Sequence, residues 1–492
     1  MDETLKGYRA VEPIASIGHL SEAKRRLLDA LLSHEKPVRR GSSRAITRRN
    51  TSASVPLSLA QEEIWHRAQD AIDKPPFYNE SITIHRQGAL DVAALQQSLT
   101  EIVRRHEAWR TTFYTLDGQP FQIVHPAPER FPISTYDLST LPESRREEEA
   151  LRLASEQARE QFNLETGPLL RVRLIHLGDT RHQVHVTMHQ IIVDGVSVFR
   201  IFPLELIKLY EAFAEGRPSP LPEPGIQYGD FARWQKEFLG EEILERQLNY
   251  WQEQLSGELP SLEWPCDRPR LSIVTYRGSI ASGEWPSVVA EQLHEICREE
   301  SVSLFMVLLA GFVLWWHQYT KESDIIVGTL APAGREQQEV QGLLGCFLNP
   351  VPLRFRITQS MTFHDLLRQT REVVSGAVAN DDVPFFRILE RVGGKPGLSE
   401  NPLFDAVISL APRLPDLGSG WDQTFMDVES GGSTWNLYLE LNERSQGIVF
   451  RTQYNPDLFN AETVCRMTDD LKLLLEAAAA EPRKTISELC RE

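Results

Sequence analysis

Met188–Gly195 reads MHQIIVDG, and the fold turns on how this stretch is read. Upstream, Gln183 to Met188 alternates as a strand does, and downstream Val196 to Leu209 runs as a helix does. Residues two or four apart share one face of a strand, so His185 and His189 point the same way. Gln190 turns to the other side unless the strand ends there. Asp194 reads as a helix cap, and Gly195 suits a positive φ or the close approach of another backbone. A junction of this kind can present a side chain to a cleft, with amide donors at the start of the helix.

The sharper chemical alternatives fail on spacing. His182, His185 and His189 recur with Asp194 nearby, but no HExxH helix and no cysteine pair accompanies them, so no metal is expected. No GxSxG elbow occurs, and Ser197 lies on the helix side of the junction, which argues against a Ser-His-Asp hydrolase. No phosphate-binding or dinucleotide fingerprint keeps its required strand-to-helix context.

Outward from the junction, the pattern predicts a helix from Leu59 to about Ala71, a strand around Ser81 to Arg86 and a long helix from Val92 to His106. Arg110 to Tyr114 and Pro120 to Val124 flank Asp117-Gly118, a type I′ hairpin signal. Leu169 to Leu177 and Gln183 to His189 read as strands of one sheet. The passage RPSPLPEPG around Gly216 to Gly225 suits neither helix nor central strand and marks a lobe boundary. A second α/β succession begins near Ile280, with Ser303 capping the apolar helix Leu304 to Trp316 and a buried strand at Ile325 to Leu330. The expected division is an N-terminal helix (Ser21 to Glu35) and basic linker over 1–55, a lobe over 56–225 and a second lobe over 226–492.

Composition narrows the function classes. The 492 residues carry a formal net charge of −17, which disfavours nucleic acid. Residues 1 to 52 are basic, with Lys36, Arg39, Arg40, Arg44, Arg48 and Arg49 gathered there; they read as a solvated linker, or else as a docking surface for an acidic partner. Five cysteines, Cys266, Cys297, Cys346, Cys465 and Cys490, form no CxxC pair and read as core or surface thiols. The longest apolar run is too short to span a bilayer and no signal peptide opens the chain, so a cytoplasmic location without membrane contact is expected.

Several stretches together carry a resemblance. SLAQEEIW (Ser58 to Trp65), RRHEAWRTTF (Arg104 to Phe113), MHQIIVDGVS (Met188 to Ser197), YGDFARW (Tyr228 to Trp234), GTLAPAGRE (Gly328 to Glu336), LGCFLNPVPLR (Leu344 to Arg354), NDDVPF (Asn380 to Phe385) and ENPLF (Glu400 to Phe404) resemble, in order and spacing, the signature set of condensation domains of nonribosomal peptide synthetases. The resemblance implies an α/β fold of two chloramphenicol-acetyltransferase-like lobes in a V-shaped pseudo-dimer with an interface tunnel. It implies an acyltransferase with no cofactor of its own. Donor and acceptor carrier proteins from neighbouring synthetase modules deliver substrates on phosphopantetheine arms, and the acceptor amine attacks the donor thioester to form an amide. A monomer is expected for the isolated domain.

Within the family motif HHxxxDG, His189, Asp194 and Gly195 match. The resemblance makes His189 and Asp194 mainly architectural, with Asp194 paired to an arginine of the RHExxR segment, here Arg110. Asn349 is expected in the segment that reaches the reaction centre from the second lobe, and Ser197 near the substrate. Gln190 is the departure, because the second histidine is the one usually assigned to catalysis. Glutamine cannot accept a proton near neutral pH, but its amide can accept and donate hydrogen bonds. Gln190 therefore fits a natural variant that still forms amides, a silent domain kept as a binding platform for carrier proteins or a tailoring enzyme, or an engineered substitution. It is similar to condensation domains that follow polyketide modules.

Overall fold

The computed structural model describes residues 45–49, 55–69, 74–260, 264–271, 273–332, 334–393, 403–418, 420–424 and 428–490. The helix expected over Ser21 to Glu35, most of the basic linker and the first three residues of ENPLF lie outside the described residues.

Among the described residues, two large sheets organise the chain. The first has five strands, in the order Trp421–Thr424, Asn79–Gln87, Arg181–His189, Leu170–Gly178 and Ser134–Asp137. The second has six, in the order Asn349–Arg356, Asp324–Ala331, Ala406–Leu410, Leu437–Arg444, Gly447–Tyr454 and Ser279–Pro286. A small third sheet joins Val55–Pro56 to the hairpin Thr111–Leu116 and Gln119–Val124. That hairpin turns at Asp117 and Gly118, whose φ values of 50° and 77° are both positive as a type I′ turn requires. Residues 216–225 carry neither helix nor strand.

Each of the two large sheets anchors a main hydrophobic core, and a smaller cluster of Leu138, Ala150, Leu153, Ile175 and Leu177 packs beside the first. Val92–Arg105 buries Leu95, Leu99, Ile102 and Val103 at helical spacing, and Asp91 caps it by accepting from the amides of Ala93 and Ala94 at 2.9 and 3.0 Å. Leu304–Thr320 is buried from Met306 through His317, which accounts for the most apolar run in the chain; Ser303 caps it as expected. A helix buried all round has no polar face to spare, and truncating one of its leucines to alanine would cost about 2–5 kcal/mol. Among the described residues no helix is long and apolar enough to cross a membrane.

The two halves are knitted rather than merely apposed. Val340, Leu343, Leu344, Cys346 and Phe347 belong to the core of the first sheet. The strand Trp421–Thr424 pairs antiparallel with Thr83–Arg86 in that same sheet, an exchange that a division of the chain at residue 225 does not foresee.

The helix expected to begin at Val196 does start there, but its first turns are irregular. Ser197–Ile201 forms a π-helical turn, and the α-helix runs Phe202–Ala214. The cause is Pro203, which has no N–H to offer the carbonyl of Phe199. That carbonyl instead accepts from the side-chain amide of Gln423 at 3.1 Å, so the exchanged strand completes the turn.

Candidate active site

Between the two sheets lies a cavity of about 390 Å³, within the usual range for small-molecule sites. From the first half, Tyr78, Glu80, Gln190 and the run Asp194–Val196 line it; from the second, Pro332, Ser409, Pro412, Tyr438, Glu440 and Arg451 do.

The strand Arg181–His189 ends where Gln190–Ile192 makes a single 3₁₀ turn, which frees Gln190 from the alternation of the strand. Its backbone N–H donates to the Tyr78 carbonyl at 2.8 Å, and its carbonyl accepts from Val193 at 3.2 Å. The residue thus sits on the cavity wall with its main chain fully engaged. His189 is buried and does not figure among the residues lining the cavity. Its Nδ1 accepts from the Ile191 amide at 3.2 Å, and its ring packs between Tyr78 and Phe162 at centroid distances of 5.7 and 6.2 Å. Burial pushes its pKa down to about 3, so the imidazole is neutral at neutral pH.

Asp194 is both cap and ion-pair partner. Its Oδ1 accepts from the Ser197 amide at 2.7 Å. Arg335 grips both carboxylate oxygens, Nε to Oδ2 at 2.9 Å and Nη2 to Oδ1 at 2.8 Å. The remaining donors of Arg335 reach the carbonyls of Val340 and Leu343 and the hydroxyl of Ser197, each at 2.8 Å, and its guanidinium lies 4.1 Å from the centre of the Phe347 ring. This is the bidentate geometry that guanidinium and carboxylate favour.

Four expectations are corrected here, for Arg110, Ser197, Gly195 and Asn349. The partner of Asp194 is Arg335, not Arg110. Arg110 closes the short turn Glu107–Arg110 before the small hairpin, donates to the His125 carbonyl and stands 3.8 Å from Glu107. Ser197 does not face the cavity: fully buried, its hydroxyl donates to the Gly345 carbonyl at 3.0 Å and accepts from the Gly345 amide at 3.1 Å. Gly195 has no positive φ, and a Cβ there would meet nothing closer than 3.6 Å, so neither strain nor crowding demands glycine.

Asn349 likewise points away from the cavity wall, where its neighbours Leu348 and Pro350 lie. Its Nδ2 donates to the carbonyls of Asp381 and Val383 at 2.8 and 2.6 Å, tying the LGCFLNP segment to NDDVPF. The other motif segments are braces of the same sort. The Gln61 side chain donates to the Ile191 carbonyl at 3.2 Å, and His106 meets Glu205 on the post-junction helix at 2.8 Å. Tyr228 donates to the Cys346 carbonyl and meets the Ser58 hydroxyl at 2.7 Å. Gly345 is required there, because a Cβ would come within 2.0 Å of the Tyr228 ring. Arg49, from the stretch read as solvated linker, donates to Asp230 at 3.0 Å and pairs with Glu107.

The histidines weighed as ligands have separate partners. His185 meets Thr83 at 2.8 Å, and His182 meets His176 at 2.8 Å. Among the described residues no group of three or more His, Cys, Asp or Glu side chains could hold a metal ion.

Among the charged residues of the cavity that sequence reading passed over are Glu80, Glu440 and Arg451. Glu440 and Arg451 stand opposite each other on paired strands, 4.0 Å apart, and Glu80 comes from the first sheet. Burial pushes the Glu440 carboxyl up to about 7, Arg451 opposing and Glu80 adding to the rise; burial raises Glu80 as well. The available signal was the alternation LYLELN: Leu437, Leu439 and Leu441 are buried in the core, which sends Tyr438 and Glu440 to the opposite face.

The condensation-domain family profile matches residues 51–490, and the chain belongs to that family. It is 35% identical over 439 residues to a linear gramicidin synthase of Brevibacillus parabrevis, covering 88% of this chain and 6% of that protein. The chain thus spans only a small part of the curated relatives it matches. Its fold is similar to the X-domain from teicoplanin biosynthesis, with a TM-score of 0.78 at 24% identity over 90% of this chain and 99% of the other. It is similar too to the first condensation domain of the calcium-dependent antibiotic synthetase, solved with a substrate analogue, with a TM-score of 0.76 at 22% identity over 89% and 99%. The fold is therefore the two-lobed chloramphenicol-acetyltransferase-like one that the motifs implied.

Proposed function

We propose that this domain forms an amide between a donor acyl or peptidyl thioester and an acceptor aminoacyl thioester, each carried on the phosphopantetheine arm of a carrier protein. The acceptor nitrogen attacks the thioester carbonyl, the C–S bond breaks, and the donor thiol leaves with a proton while the chain passes to the acceptor arm. The domain itself needs no bound cofactor, because the thioester supplies the energy.

The observation that carries this reading is the position of Gln190 on the wall of the cavity lined by both halves, with His189 turned into the core beneath it. Gln190 acts by position. Its amide oxygen accepts from the attacking amine and holds the two tethered reactants together, and such orientation supplies effective molarities of about 10⁵ M or more. Attack requires the neutral amine, which Gln190 orients without itself taking a proton. His189 and Asp194 hold the loop in place, and Asp194 does so through Arg335.

The absence of a titratable group at Gln190 favours one rival: a silent domain serving as a platform for carrier proteins or a tailoring enzyme. The structurally similar teicoplanin X-domain has been seen in complex with OxyB. Loaded donor and acceptor carriers, mixed with the domain and followed by intact-protein mass spectrometry, decide between the two. Transfer above the uncatalysed background, lowered in Gln190→Ala, is expected. No transfer by the native domain and none gained in Gln190→His would sink amide formation and leave the platform.

A further inference from the structure

Two of the four carboxylates in the cavity wall are already paired at hydrogen-bond distance. Glu63 takes Arg67 at 2.7 Å and also accepts from the Phe386 amide at 2.8 Å. Asp194 takes Arg335. That leaves Glu80 and Glu440 with a single guanidinium, Arg451, between the two halves of the protein. Glu440 meets it only at 4.0 Å, beyond hydrogen-bond reach. Glu80, partly exposed to the cavity, has no hydrogen bond and no ion pair within 4 Å among the described residues, and the buried Nε of Arg451 has no acceptor.

An isolated carboxylate away from bulk water is costly unless a cation or donors meet it. Here the acids converge from separate sheets, Glu80 across from Met188 in the first and Glu440 across from Arg451 in the second, on the cavity that also holds Gln190. Tyr438, two residues before Glu440 on the same wall, meets the Ser409 hydroxyl at 2.8 Å, with no bond to either acid among the described residues. With both acids ionised, the site sets two carboxylates against one guanidinium, and it opens on the space where the substrate would lie.

Building on the amide-forming reading, we infer that Glu80 and Glu440 form a specificity subsite that takes a substrate acyl chain ending in a primary ammonium or guanidinium group. The cationic end supplies the missing donors, while Arg451 keeps the two acids from repelling each other when the subsite is empty. A neutral chain of equal length leaves Glu80 unsatisfied and is bound less tightly.

The test uses two soluble probes, the pantetheine amides of Nα-acetyl-lysine and of Nα-acetyl-norleucine, with binding measured by calorimetry at pH 8. The lysyl probe is expected to bind at least tenfold more tightly. The preference should vanish in the double variant Glu80→Gln with Glu440→Gln and shrink in Glu80→Gln alone, with melting curves checking that each variant folds. It should also fade as the pH falls through about 7, where Glu440 takes up a proton against the pull of Arg451 and with the push of Glu80. Equal binding of the two probes, or a preference that survives the double variant, overturns the subsite while leaving amide formation standing. A lysyl preference in a domain that transfers nothing between loaded carriers overturns amide formation and leaves the subsite.

Discussion

Two carboxylate–guanidinium pairs border the same cavity and could hardly differ more. Asp194 and Arg335 meet through two hydrogen bonds of 2.9 and 2.8 Å, and the remaining Arg335 donors go to Val340, Leu343 and Ser197. Glu440 and Arg451 stand 4.0 Å apart, with Glu80 unsatisfied nearby. A buried pair with every lone pair and proton matched sets geometry, whereas a partly matched one responds to whatever enters. The first pair belongs to the scaffold that aims the loop, and the second to the surface that meets the ligand.

Removing Arg335 should break that contrast most severely. Arg335→Ala leaves Asp194 buried without its cation, a change that typically costs about 3–5 kcal/mol; urea unfolding is expected to show a loss of that order. A near-native midpoint would mean that Asp194 is not held as described.

Glu440→Gln should act in the opposite direction. The folded protein holds the Glu440 proton up to about 7, above the ordinary carboxylate range, so it binds more protons than the unfolded chain between about pH 4.5 and 7. Native stability therefore falls as the pH rises through that window. The variant should match the native protein near pH 4 and exceed it at pH 8 by at most about 3 kcal/mol. Thermal melts at the two pH values check the sign. His189 contributes with the reverse slope: its depressed pKa means that stability is lost as the pH falls from about 6.5 toward 3, and a melt series over that range in His189→Asn should show a shallower decline.

Gln190→Ala is expected to leave stability within about 0.5 kcal/mol, since its structural bonds are made by the backbone, while slowing carrier-to-carrier transfer roughly tenfold, the effect of about 1.4 kcal/mol in the barrier. A variant that unfolds instead would make Gln190 part of the scaffold. Arg110→Ala should matter least, by about 1 kcal/mol or less with transfer unchanged, because Arg110 secures a hairpin and not the junction; slowed transfer at full stability would return it to the site.

What could be read without coordinates followed the range of the interactions. Strand alternation, the Ser303 cap and the Asp117-Gly118 turn are local, and each appears within a residue or a few of its expected place. The partner of Asp194 was missed because it lies 141 residues further along the chain, inside a recognised motif but with no local mark of its role. The exchanged strand at Trp421–Thr424 escaped for the same reason: four residues have no periodicity to display. Ser197 and Asn349 sit in motif segments near the cavity, yet their side chains are spent on carbonyls that hold those segments together. Glu440 was legible in principle, as a charged residue on the face opposite three buried leucines, but nothing in the strand itself says that a cavity lies on that side.

The placement of Gln190 on the substrate path is tested most directly by a crystal structure with a stable pantetheine amide of a donor acyl group. The expected result is density running through the cavity with the amide group within hydrogen-bond reach of the Gln190 side chain and the His189 ring untouched in the core. Density lying outside the cavity, or an amide bonded to His189 in place of Gln190, would contradict it.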